Sequence, residues 1–268
     1  MKSLFVVALL AGSAAADVRV TPESVAPGDP VVVTVTDANA APHGKAGGQA
    51  LTFMKTKSGY QAVFAAPLAI NEDHVLVEVT GSKPISVPLS QKTFPETDVV
   101  VEDELANPSP ADGKIIDQDN HAIAQSYVLA DGSAQFVKPF KQPIAKITST
   151  FGEWRTFNDG HRSQHLGTDY AVSEGTPVRA IDSGTVTLVR ETFLAGNVVV
   201  VAHGGGISSL YFHLQKPSVK TGDHVQAGAT IGRAGHTGRT TGPHLHLSIH
   251  VPGGMVDPVS FFALPLAK

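Results

Sequence analysis

From Asp17 to about Leu89 the chain alternates short apolar runs with turn residues. Val31-Val-Val-Thr-Val-Thr36 follows Ala26-Pro-Gly-Asp-Pro30, Tyr60-Gln-Ala-Val-Phe64 follows Lys57-Ser-Gly59, and His74-Val-Leu-Val-Glu-Val-Thr80 stops at Gly81. Strands at this spacing predict a small immunoglobulin-like β-sandwich over residues 17–90. The pattern then breaks. Pro95-Glu-Thr-Asp98 and Asn107-Pro-Ser-Pro-Ala-Asp-Gly113 read as a linker over residues 91–137, with one short helix predicted from Asp119 to Ala130. From Phe136 onward strand and turn resume, and Val198-Val-Val-Val-Ala202 is a buried-strand candidate between Asn197 and Gly204. Gly175-Thr-Pro-Val-Arg-Ala180 echoes Gly222-Asp-His-Val-Gln-Ala227, each a tight turn feeding a strand. Carrier domains for biotin or lipoate show a similar repeat. Such a domain presents a lysine at a hairpin tip, and nothing here resembles that hairpin.

Residues 1–16 read as a signal peptide rather than part of the fold. Lys2 gives a positive start, Leu4 to Ala11 form an apolar core, and Ser13-Ala-Ala-Ala16 offers a cleavage site before Asp17. That run is too short to span a bilayer and nothing later is long enough, so export without a membrane anchor is expected. With 20 basic and 24 acidic residues, net charge −4, the chain is not built to bind nucleic acid or a polybasic-seeking membrane surface. Cysteine is absent, which excludes disulfides and thiolate ligands. Any metal must be held by His, Asp or Glu.

Histidine is unevenly placed. Only His43, His74 and His121 precede residue 161, and His43 and His74 read as ordinary surface or edge residues. Downstream, His165-Leu-Gly-Thr-Asp169 and Gly242-Pro-His-Leu-His246 offer four side chains able to bind or serve a metal. On a strand, residues i and i+2 share a face, so His244 and His246 would project side by side. A catalytic zinc takes three protein ligands of this kind and keeps one position for water. No His-Glu-x-x-His is present, which excludes the helical metalloprotease arrangement with its glutamate base.

Four stretches together resemble the LytM/lysostaphin-type zinc metallopeptidases, the M23 family. Ile147-Thr-Ser-Thr-Phe-Gly152 with Arg155 is similar to that domain's opening strand and turn. His165-Leu-Gly-Thr-Asp169 matches H-x-G-x-D, Tyr211-Phe-His-Leu214 matches Y-x-H-L, and Gly235 to His246 matches the closing G-x-T-G-x-[ST]-T-G-P-H-L-H. The resemblance covers residues 138–262. It implies an all-β fold: a C-terminal antiparallel β-sheet peptidase domain with an open groove, preceded by the small β-sandwich-like domain. It also implies that His165, Asp169 and His246 bind one Zn2+ and that His213 and His244 are the catalytic pair. His244 would act as general base on the attacking water, and His213 would hold that water or stabilise the oxyanion. His203 is expected to be structural, His250 a rim or surface group, and His161, His224 and His236 turn residues. Asn197 and Thr241 are expected to fix turns and loops. The implied function is an exported endopeptidase of the periplasm or cell envelope that cuts peptide bonds of peptidoglycan. Two alternatives stand beside it: a non-catalytic activator of wall amidases, and a metallopeptidase of glycine-rich proteins.

Overall fold

A computed structural model describes residues 17–69, 72–127, 133–137, 139–158 and 160–267. The expected signal peptide, and residues 128–130 of the expected helix, lie outside them. Residues 17–89 form β1 (Asp17–Thr21), β2 (Pro30–Thr36), β3 (Gly44–Ala46), β4 (Gln49–Ala50), β5 (Met54–Thr56), β6 (Gly59–Ala65), β7 (His74–Val79) and β8 (Ile85–Pro88). They make two antiparallel sheets, ordered β1-β2-β6-β5 and β4-β3-β7-β8. Val31, Val33, Val35, Phe64, Val75 and Val77 are buried together in the core they share. Val32 and Val63 face the other way and join the core of the C-terminal half. The unbroken valine run of β2 is therefore a strand buried on both faces.

Between the two halves lie β9 (Glu96–Val99), α1 (Asp103–Ala106) and α2 (Pro110–Gln125). This stretch joins the two halves and packs along the C-terminal one. The helix expected from Asp119 instead begins at Pro110 and ends at Gln125. Ser109 is its N-cap: its hydroxyl accepts from Asp112 N at 3.2 Å, and the Asp112 carboxylate accepts from Ser109 N at 3.1 Å. Pro110 sits at the first helical position, where its missing N–H costs nothing. The same Ser-Pro-Ala-Asp that suggests a linker is thus a helix start.

The C-terminal half comprises β10 (Ile147–Ser149), β11 (Trp154–Phe157), β12 (Arg162–Gln164), β13 (Thr168–Ala171), β14 (Pro177–Arg179) and β15 (Gly184–Thr192). It continues through β16 (Gly196–Gly204), β17 (Ile207–Pro217), β18 (His224–Val225), β19 (Thr230–Ala234), β20 (His244–Val251), β21 (Gly254–Val256) and α3 (Pro258–Phe262). The main sheet runs β10-β13-β20-β17-β16-β15-β18, with antiparallel neighbours throughout. A smaller sheet, β12-β11-β9, contains one parallel pair, between β9 and β11. The two echoing segments each start at a glycine of positive φ, Gly175 and Gly222, and each buries its valine, Val178 or Val225.

One face of the main sheet buries Tyr170, Val199, Val201, Tyr211, Leu245, Leu247 and Ile249. On the opposite face Val198, Val200 and Leu210 pack under Ile123 of α2. β16, like β2, is covered on both sides. Asp119, buried in α2, accepts from Arg190 Nε at 2.8 Å and from Phe193 N at 2.9 Å, which ties the helix to β15 and the following loop. Among the described residues no helix is long and apolar enough to cross a membrane.

Candidate metal centre

The polar end of that second sheet face is set by strand register. Asp169 on β13 pairs with His246 on β20, which pairs in turn with Phe212 on β17. His244 and His246 project to the same side, and His165 enters from the loop between β12 and β13. Gly167 makes the approach possible, because a Cβ there would lie 2.5 Å from His246 Nε2. The expected ligands meet: His165 Nε2, Asp169 Oδ1 and His246 Nδ1 lie 2.9–3.1 Å apart, all three residues buried.

Proton bookkeeping shows what such a cluster wants. His165 Nδ1 faces the Thr150 carbonyl at 2.9 Å, and a carbonyl only accepts, so Nδ1 carries a proton and, in the neutral ring, Nε2 a lone pair. Ser248 Oγ donates to Leu166 O at 2.7 Å, so it accepts from His246 Nε2–H at 2.8 Å and leaves His246 Nδ1 bare. Two bare nitrogens and a carboxylate oxygen therefore converge with no donor among them. A cation satisfies this donor set. Burial pushes His246 down to about 4, against the pull of Asp169, which keeps its ring neutral and able to ligate.

The second carboxylate oxygen has its own holder. Arg155 Nη2 donates to Asp169 Oδ2 at 2.7 Å and to Ser149 Oγ at 2.6 Å, while Arg155 Nε donates to Glu153 Oε2 at 3.0 Å. Ser149 Oγ also donates to Glu153, and Thr97 Oγ1 on β9 donates to Glu153 Oε1 at 2.6 Å. Desolvation opposes ionisation of Glu153, but these donors and the Arg155 charge keep its pKa lowered. Phe212 stacks flat on His246, ring centroids 5.0 Å apart and 4° from parallel.

His213 and His244 stand beside the cluster, ring centroids 4.8 Å apart. Each is fixed by a carbonyl: His213 Nδ1–H donates to Thr237 O and His244 Nδ1–H to Gly242 O, both at 2.8 Å. In the neutral rings this leaves both Nε2 atoms as acceptors, and that of His244 lies 3.6 Å from Asp169 Oδ1. His213 adopts φ +59°, a strained left-handed conformation, held by its own N–H donating to Ala195 O at 2.9 Å. Burial, then the neighbouring His244 and His246, push its pKa down to about 3.

The remaining histidines fall outside the site. His203 is wholly buried, bonded to Ser183 O and Ser209 Oγ at 2.8 Å each. His250, expected on the rim, is half-buried under Tyr127, with ring centroids 4.0 Å apart, because the end of α2 roofs this part of the sheet. His224 begins β18 rather than occupying a turn, and its Nδ1 meets Thr185 Oγ1. His161 and His236 are exposed in loops, His236 3.4 Å from Glu174. His43 is exposed, and His74 pairs with its neighbour Asp73. Asn197 fixes a turn by donating to Leu214 O at 3.0 Å, while Thr241 is exposed in the loop before His244. Sequence reasoning did not assign roles to Ser248, Thr237, Glu153 and Thr97. Ser248 was within reach, two residues beyond His246 on the same strand face.

Fold and site thus define an all-β protein with a buried His-Asp-His centre and two more imidazoles aimed at it. The profile of Peptidase family M23 matches residues 163–258, which contain all five of these side chains. Residues 163–258 are thus similar to a Peptidase family M23 domain. It is 46% identical over 101 residues to the DD-carboxypeptidase/endopeptidase Mpg of Neisseria meningitidis serogroup B, covering 38% of this chain and 23% of that protein. It is 46% identical over 113 residues to the peptidoglycan DD-endopeptidase ShyA of Vibrio cholerae, covering 42% of this chain and 26% of that one. The chain spans about a quarter of the length of these curated relatives. A crystal structure of a candidate M23 peptidase from Pseudomonas aeruginosa aligns with TM-score 0.68 at 27% identity, over 88% of this chain and 94% of that one.

Proposed function

We propose that the protein is a zinc-dependent endopeptidase that hydrolyses peptide bonds in peptidoglycan stem peptides or cross-bridges, acting in the periplasm or cell envelope after export. The observation that carries this is the meeting of two bare imidazole nitrogens and one carboxylate oxygen beside two further imidazoles with free Nε2 atoms. His165, Asp169 and His246 would hold the ion; two imidazoles and a carboxylate form a donor set typical of a catalytic zinc site. When bound, zinc would supply a Lewis acid that acidifies water and polarises the scissile carbonyl. Peptidoglycan as substrate rests on relatives named as peptidoglycan DD-endopeptidases. The sandwich of residues 17–90 would be an accessory unit beside the peptidase domain.

The chain's own groups supply the proton steps. His244 and His213 both meet the attacking water as acceptors, since each Nδ1–H is committed to a carbonyl. His244, nearer the ligand carboxylate, acts as general base. Only a ring that has taken up a proton can then donate, to the oxyanion or to the leaving amine. Arg155 keeps Asp169 Oδ2 occupied, so Oδ1 alone turns toward the two ligand imidazoles. Zinc-loaded protein should release peptides from purified sacculi, detected by mass spectrometry. Stoichiometric zinc with no released peptide, together with stimulation of a separate amidase, would instead favour an activator. Better cleavage of a glycine-rich protein would remove the wall assignment.

A further inference from the structure

Arg155, Arg162, Arg179, Arg190 and Arg233 each donate from the guanidinium to a carboxylate or a carbonyl. Arg239 differs. Its guanidinium carbon lies over the Phe157 ring, 3.9 Å from the centroid, and among the described residues the side chain makes no hydrogen bond or ion pair. Its main chain is pinned, Arg239 N donating to Leu194 O at 2.7 Å. Stacking on an aromatic face leaves the edge of a guanidinium, with five N–H donors, unused.

Its position is more telling than its lack of a partner. Phe157 is two residues beyond Arg155 on β11, so both side chains share a face of that strand, and Arg155 holds Asp169. Next to Arg239, Thr240 Oγ1 lies 3.5 Å from His244 Nδ1. Arg239 therefore spans from the loop that carries His244 to the strand that secures a metal ligand. Desolvation first, and repulsion from Arg155 second, lower its pKa to about 10, so it remains a cation at neutral pH. Arg155 is neutralised by Asp169 and Glu153, whereas the charge of Arg239 is not. A half-buried, pre-oriented guanidinium with free donors fits a carboxylate, which it can bind through two parallel hydrogen bonds.

We propose that Arg239 is a specificity-determining residue that binds a free carboxylate of the peptide substrate beside the metal centre, so that amidation of this carboxylate weakens recognition. This rests on the peptidase reading above. The test compares matched cross-linked stem peptides, with stem carboxylates free or amidated, on the zinc-loaded protein and its Arg239→Gln and Arg239→Lys variants. Wild-type protein should prefer the free carboxylate by about 10- to 100-fold in kcat/KM, the range for hydrogen bonds to a charged group. Arg239→Gln should lose this preference through a raised KM while changing little on the amidated peptide. Arg239→Lys should recover part of it. Equal losses on both peptides would show that the cation–aromatic contact only secures the loop, and no loss on either would make Arg239 a bystander; each overturns the proposal. If wild-type protein cleaves neither peptide, the peptidase reading falls, and calorimetric titration of the same peptides still decides. Tighter binding of the carboxylate form, abolished in Arg239→Gln, supports the proposal; equal binding overturns it.

Discussion

β2 of the sandwich and β20 of the main sheet are both strands whose two faces are occupied, yet only β20 leads to chemistry. On β2, Val31 and Val33 meet the sandwich core and Val32 meets the C-terminal half, so apolar surface answers apolar surface on each side. On β20, Leu245, Leu247 and Ile249 meet the main core, while His244, His246 and Ser248 face a cluster of polar groups. What covers the second face decides its residue types. Where a valine sheet covers it, the sequence reads as a continuous apolar run; where the cover is polar and wants a cation, histidines alternate with leucines.

Breaking the polar side should have the largest effect. His246→Ala or Asp169→Asn should abolish stoichiometric zinc uptake, measured by elemental analysis after dialysis. Hydrolysis should fall on the order of a thousandfold or more with the loss of Lewis-acid stabilisation. His244→Ala should retain the ion yet lose about 100- to 10,000-fold in kcat, the span of general acid–base catalysis. Zinc loss in this variant would make His244 a ligand and redraw the site. On the apolar side, Phe64→Ala should cost about 3–5 kcal/mol of unfolding free energy, with zinc affinity unchanged in the folded protein. Arg155→Ala should weaken zinc about 10- to 100-fold in chelator competition, the usual effect of removing a group that orients a ligand; unchanged affinity would leave the Arg155–Asp169 pair without a role.

The smallest expected effect concerns acid. Burial lowers His203 and His250 to about 4, below the ordinary value near 6.5. Below about pH 6.5 the unfolded chain takes up protons that the folded chain refuses, so their stabilisation is complete above that pH and drains away toward pH 4. Urea midpoints should therefore fall between pH 7 and pH 5. His250→Phe, which keeps the stacking on Tyr127, should make that fall shallower; an unchanged slope would remove His250 from the account.

The site was more legible in the sequence than its supports. His244 and His246 follow the two-residue period of a strand, and the glycine in His-x-Gly-x-Asp is required because His246 Nε2 lies where a side chain at 167 would go. The start of α2 is hidden in the sequence because Pro and Ser mark both loops and helix caps, and only the Ser109–Asp112 reciprocal bonds distinguish them. Thr97 meets Glu153, and Tyr127 covers His250, across long stretches of chain, where no local period can announce a contact.

Asp119 bears on where the catalytic unit can be cut. Its carboxylate holds Phe193 N, and the next two residues supply the carbonyls that hold Arg239 and the left-handed His213. α2 also shields Val198, Val200 and Leu210. A fragment trimmed to the stretch that matches the family would bare an oily patch beside the metal centre and release the loop that braces His213. Both supports come from a helix that begins at Pro110, well before the first recognisable motif.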